Sequence, residues 1–249
     1  SVFFQDELYV LDLDDQLSAS INAYKYEIID DSGQLDFTDL QISFNNVIID
    51  KELKKKNIYY SFIDETRSFK DKSIENFIKH NSDINLKVDK DKKRITIKTG
   101  LYELHKNLIL PFGYSLVIEK GTIINISSDK SILVYGSIHL NGVRNDPVII
   151  KNLEKGKPFG VFAGIGNKSW DVNISNLDIS GGSEAVLNGV HFSGALSLYS
   201  YKKAMIENSL IHHNVADDGL NIKNTDIYLE NNNFISNSSD QVDLDFCKG

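Results

Sequence analysis

Short β-rich runs without helical spacing between them, closed by a 22–24-residue repeat, predict an all-β solenoid for this 249-residue chain. The expected architecture is a right-handed parallel β-helix with a small N-terminal α/β capping region. Boundaries are expected at 1–85 for the capping region and 86–249 for the β-helix. Gly249 arrives one strand into a further repeat, so the β-helix reads as cut short at its C-terminal end.

Taken in order, residues 1–60 mix short apolar runs, Leu8–Leu13 and Val47–Ile49, with acidic turns such as Asp30-Asp-Ser-Gly33. These predict short strands. Between Thr66 and His80, Ile74, Phe77 and Ile78 fall at i, i+3, i+4, one apolar stripe on a short helix, with Ser68 as its N-cap. Within the basic stretch Lys87–Lys98, Ile95 and Ile97 alternate with polar residues and predict a strand.

From about residue 94 the runs follow one another closely: Ile95–Ile97, Leu108–Leu110, Leu116–Ile118, Thr122–Ile126, Ile132–Val134, Ile138–Leu140 and Val148–Ile150. That spacing excludes an ordinary βαβ sheet. Leu196-Ser-Leu198 aligns with Leu220-Asn-Ile222 and Val242-Asp-Leu244, at offsets of 24 and 22. Met205–Asn214 aligns with Tyr228–Asn237 at an offset of 23. Ile174–Ile179 aligns with Ile206–Ile211 at 32, which implies an insert of about nine residues at Glu184–Phe192. Asn208 over Asn231 is expected to form a ladder of side-chain amides in a turn. The L-x-x-L-x-L-x-x-N pattern of a leucine-rich repeat is absent.

Composition excludes several classes. The chain is 41% hydrophobic and 25% charged, as a globular protein is. Its net charge of −8 argues against a general nucleic-acid binder, whose affinity rests on Lys and Arg contacts to phosphate. No run reaches the roughly 20 apolar residues that a membrane helix needs. A single cysteine, Cys247, cannot build an intrachain disulfide framework or a Cys-rich zinc site. The chain starts at Ser1 and shows no signal peptide, which carries no information in a fragment.

Several segments resemble a known group. Arg94-Ile-Thr-Ile-Lys-Thr-Gly-Leu-Tyr-Glu-Leu104, Leu110-Pro-Phe-Gly-Tyr-Ser-Leu-Val-Ile-Glu-Lys-Gly-Thr122, Ile132–Ile138 and Asp146–Ile150 look like the opening coils of bacterial right-handed parallel β-helix repeat proteins, of the pectate-lyase-like superfamily. Asp218–Ile222 and Ser239–Phe246 look like later coils of β-helix proteins that carry or accompany spore-coat H-type kinase domains. The resemblance covers about residues 75–249. It implies an extracellular or cell-surface location and a groove along one parallel sheet. It leaves function open, because such folds serve lyases, hydrolases, epimerases, tailspikes and adhesins.

If Leu196/Leu198, Leu220/Ile222 and Val242/Leu244 point inward, the alternate residues point outward. Ser197, Asn221 and Asp243 then form one column, and Tyr199, Lys223 and Asp245 a second. Rows of this grid are about 4.8 Å apart. Polar groups in such an array can satisfy sugar hydroxyls while an aromatic face stacks on the ring. Asp243 and Asp245 lie roughly 6–7 Å apart, a separation compatible with acid/base work in glycoside hydrolysis. In an enzyme they would be the carboxylates, Lys223 would stabilise a developing anion, and Tyr199, Asn221 and Ser197 would position the substrate. Asp217, Asp218 and Asp240 precede the strands that carry Asn221 and Asp243, and could hold Ca²⁺ through oxygen ligands.

Blander readings stand beside these. Turn Asp residues cap backbone N–H groups. Asp243 and Asp245 also fit a solvated face or a pair with Lys223. Adjacent His212 and His213 point oppositely on a strand and fit a turn or surface role. Trp170 and Cys247 fit packing. The functional expectation is a carbohydrate-associated surface or secreted module binding a neutral or acidic polysaccharide or cell-surface glycan, with cleavage or epimerisation left open. The alternative is a non-catalytic structural or adhesive solenoid that contacts protein partners.

Overall fold

The computed structural model describes residues 74–249 and, before them, the backbone of five short strands: Val2–Phe4, Glu7–Tyr9, Gln41–Ile42, Asn45–Asn46 and Lys51–Glu52. The chain divides into two compact units, Ser1–Ile63 and Asp64–Gly249. In the first, Val2–Phe4 pairs antiparallel with Glu7–Tyr9 and with Gln41–Ile42, and Asn45–Asn46 pairs with Lys51–Glu52. Val47–Ile49 and the N-cap residue Ser68 lie outside the described residues.

The second unit opens with a helix, Ile74–His80, that buries Phe77. Seven residues give barely two turns. Only one side can be covered, and Ile78 of the expected stripe stays exposed. The antiparallel pair Leu86–Asp89 and Arg94–Ile97 follows.

From there the chain visits three sheets in turn. The first sheet continues from Arg94–Ile97 with Ser115–Glu119, Ile138–Asn141, Asp171–Ser175, Lys203–Glu207 and Asp226–Glu230, all parallel. The second contains Gly100–Leu104, Thr122–Ile126, Val148–Asn152, Leu177–Ser180, Leu210–His212 and Asn233–Ile235. The third contains Leu108–Ile109, Ile132–Val134, Phe162–Ile165, Gly194–Tyr199, Asp218–Lys223 and Asp240–Asp245.

Side-chain alternation puts one apolar column from each sheet into a shared core. Ile95, Leu116, Ile138, Val172 and Ala204 align in the first sheet. Ile124, Ile150, Ile179 and Ile211 align in the second. Leu108, Ile132, Phe162, Leu196 and Leu220 align in the third. All are fully buried in one cluster. Burying each large apolar side chain contributes about 1.5–3 kcal/mol. Tyr201 threads into this core beside Gly164, where a side chain would collide with its ring, and donates to Gly136 O at 3.0 Å.

The corners between sheets share one device, a single residue in the left-handed region. After first-sheet strands it is Asn176, Asn208 and Asn231, at φ 49–52°. After second-sheet strands it is Gly181, His213 and Ser236, and after third-sheet strands Lys168, Ser200, Asn224 and Phe246. Asn tolerates this conformation better than most residues. Asn208 and Asn231 thus serve through their backbone. The buried amide ladder lies elsewhere: Asn214 Nδ2 donates to Asn237 Oδ1 at 2.9 Å, and Gly182 N donates to Asn214 Oδ1 at 2.9 Å.

The expected fold class is corrected. The structure is not a single right-handed parallel β-helix with an α/β cap. It is a mostly β arrangement of several parallel sheets side by side, one of them mixed because Leu86–Asp89 runs antiparallel to Arg94–Ile97. Its described helix has seven residues, too few to make an α/β region. The 22–24-residue offsets report register between strands of one sheet, and register alone does not define the class of the whole. The insert expected at Glu184–Phe192 is an antiparallel hairpin, Ala185–Leu187 with Val190–Phe192.

Candidate functional site

On the third sheet the expected columns are in register. Ser197 pairs with Asn221 and Asn221 with Asp243. Tyr199 pairs with Lys223 and Lys223 with Asp245. Their exposure differs from the expectation. The hairpin Ala185–Phe192 folds against this face: Leu187 and Phe192 pack with Leu133, Tyr135, Val161 and Ala163 into a second apolar cluster, and Phe192 stacks on Tyr199 at 5.2 Å.

Ser197 and Asn221 are therefore fully buried, and neither offers an open subsite. Ser197 Oγ donates to Gly194 O at 2.9 Å and shapes the start of its own strand. Asn221 Nδ2 donates to Asp243 Oδ2 at 2.7 Å, while its Oδ1 is buried without a partner. Tyr199 is no free sugar platform either. One face carries Phe192, and Lys223 Nζ sits 5.7 Å from the ring centroid. Its hydroxyl is buried without a hydrogen-bond partner, and burial pushes its pKa up. Ser197, Lys223 and Ser193 lie near enough to oppose that rise without bonding geometry, and do not reverse it.

Lower on the same face the side chains open to solvent. Lys223 Nζ meets Asp245 Oδ2 at 2.9 Å, with the two side chains 40% and 42% exposed. Burial alone would lower the Lys223 ammonium, but Asp245, Tyr199 and Asp243 together hold it above its ordinary value. Asp243 and Asp245 stay partly exposed. Each already has a partner, Asn221 for Asp243 and Lys223 for Asp245.

Asp217, Asp218 and Asp240 do not gather around one point. Asp218 is 3% exposed, whereas Asp217 and Asp240 face solvent. Among the described residues no group of three His, Cys, Asp or Glu side chains could hold a metal ion. Burial raises the Asp218 carboxyl above the usual range; the Ser193 hydroxyl opposes this, and Asp243, Asp217 and Asp240 add to it. Adjacent strand residues point to opposite faces, which separates Asp217 from Asp218.

A polar constellation not anticipated from sequence lies on the outer face of the second sheet. His212 Nε2 meets Asp178 Oδ1 at 3.0 Å, and His212 Nδ1 meets His213 Nδ1 at 2.7 Å. The pair borders an open cavity of about 520 Å³. Its signal was the position of His213, one repeat of 23 residues before Ser236 at the same corner. The left-handed corner turns His213 back beside His212, where a continuous strand would have sent the rings apart. Trp170 is half-buried against the core, edge-on to Phe112 at 5.4 Å, and Cys247 packs on the same core.

No family model, curated protein or solved structure matches the chain. The likeness to pectate-lyase-like proteins has no counterpart in these comparisons. Among the described residues no helix is long and apolar enough to cross a membrane.

Proposed function

We propose that the chain is a carbohydrate-binding module, and that the open lower part of the third-sheet face takes a neutral glycan. One observation carries this reading: two adjacent columns place the Asn221–Asp243 and Lys223–Asp245 pairs side by side on one sheet, leaving carboxylate oxygens and an ammonium half-exposed. Hydroxyls both donate and accept, so a sugar can bridge such a surface without introducing charge. Asp240, Asp243 and Asp245 surround a single Lys223, and this sign of charge disfavours uronates there. Binding is favoured over cleavage because both solvent-facing carboxylates are already engaged and the buried Asp218 is out of a substrate's reach.

The test is a polysaccharide array probed with the chain and with an Asp243→Asn/Asp245→Asn variant. Retention of neutral glycans by the parent, weakened about tenfold or more in the variant, supports the reading. Equal retention by both, or none by the parent, overturns it.

A further inference from the structure

The second-sheet cavity is basic in a chain whose net charge is −8. Asn125, Lys151, Ser180 and His212 form one column across successive strands, in register. Lys155, on the loop after Lys151, and His213, at the next corner, complete the rim. No carboxylate lines the cavity. Neither lysine forms an ion pair among the described residues.

The histidines are oriented by their contacts. A carboxylate only accepts, so His212 Nε2 carries the proton given to Asp178. In a neutral His212, Nδ1 is then the acceptor and His213 Nδ1–H the donor across 2.7 Å. That leaves His213 Nε2 without a partner among the described residues. A bound oxyanion supplies the partner for a second proton there. On the other side, Asn125 Oδ1 is a buried acceptor with no hydrogen-bond partner. It suits a hydroxyl donor. Cations on one rim and an orphaned acceptor on the other describe a ligand with both an oxyanion and hydroxyls.

We infer that this cavity binds an anionic sugar, a sugar phosphate or sugar acid, with its oxyanion held by Lys151, Lys155 and His213 and a hydroxyl held by Asn125 Oδ1. The site is on a different sheet from the face assigned above and does not rest on that assignment.

Calorimetric titration of the full chain with glucose 6-phosphate, glucuronate, inorganic phosphate and glucose tests it. The two charged sugars are expected to bind, with glucose weaker by about tenfold or more. Comparing them separates phosphate from carboxylate as the preferred oxyanion. Lys151→Gln/Lys155→Gln, both at exposed positions, should weaken the charged sugars by about tenfold at an unchanged melting temperature. Asn125→Ala should weaken glucose 6-phosphate and leave inorganic phosphate unaffected. Equal affinity for glucose and glucose 6-phosphate, full retention of glucose 6-phosphate by the double lysine variant, or no binding of either charged sugar would overturn the inference.

Discussion

The outer faces of the second and third sheets are built on the same strand alternation and meet solvent in opposite ways. On the third sheet, the hairpin Ala185–Phe192 covers Tyr135, Val161 and Ala163, turning an outward face into a second apolar core. Its polar positions are buried with it, and acidic side chains cluster at the open lower end. On the second sheet nothing comparable covers the outward positions among the described residues. Leu101 is 66% exposed, and Lys151, His212 and His213 border an open cavity. A period of two says which residues leave the core. What lies over them is decided by inserts outside the period.

The comparison can be broken most directly by removing the cover. Phe192→Ala deletes a fully buried ring and should cost about 3–5 kcal/mol in urea unfolding. Leu101→Ala, at an equivalent outward position on the open face, should change stability by no more than about 0.5 kcal/mol. Similar costs for the two would mean that the hairpin does not cover the third sheet in solution.

Next in size is the corner that joins the two sheets. Asn214→Ala leaves Gly182 N and Asn237 Oδ1 without their partner, at a cost of about 1–3 kcal/mol in the same assay.

A smaller effect depends on pH. The Asp218 carboxyl is raised in the folded chain, so between its unfolded and folded values the folded state binds more protons. Stability therefore falls as pH rises through that window, and the deficit persists at neutral pH. Asp218→Asn keeps an acceptor for Ser193 and removes the charge. It should raise the melting temperature at pH 7 by a few degrees and flatten the loss above the acid range. A melting temperature lower than the parent's at pH 7 would show that the carboxylate is compensated.

The smallest change is expected on the open face. The half-exposed His212–Asp178 contact should contribute no more than about 1 kcal/mol, so His212→Ala should barely move the urea midpoint.

Much of the local order was legible in the sequence. Leu196, Leu220 and Val242 announced their register, because alternation and offset both survive when each strand repeats its predecessor. The length of the insert was legible as well, from the 32-residue offset. Its destination was not: a hairpin that leaves the repeat follows no period, so the burial of Ser197 and Asn221 had no signature. Ile74, Phe77 and Ile78 marked the helix, yet a helix this short covers only Phe77. The class of the whole was over-read from register. The Asp178–His212–His213 contact was hidden because it joins residues 34 positions apart and depends on the backbone reversal at His213.

Those left-handed corners have one more consequence. Asn176, Asn208 and Asn231 are separated by 32 and 23 residues, and Gly181, His213 and Ser236 by the same two intervals. The chain thus carries its own unit of length. Excising the 23 residues Ser209–Asn231 would join Asn208 to Asn232 and leave every later corner in phase. Excising 22 or 24 would shift the alternation by one and turn each remaining core residue toward solvent. Growth or shrinkage of this molecule is therefore quantised, one whole circuit of the sheets at a time.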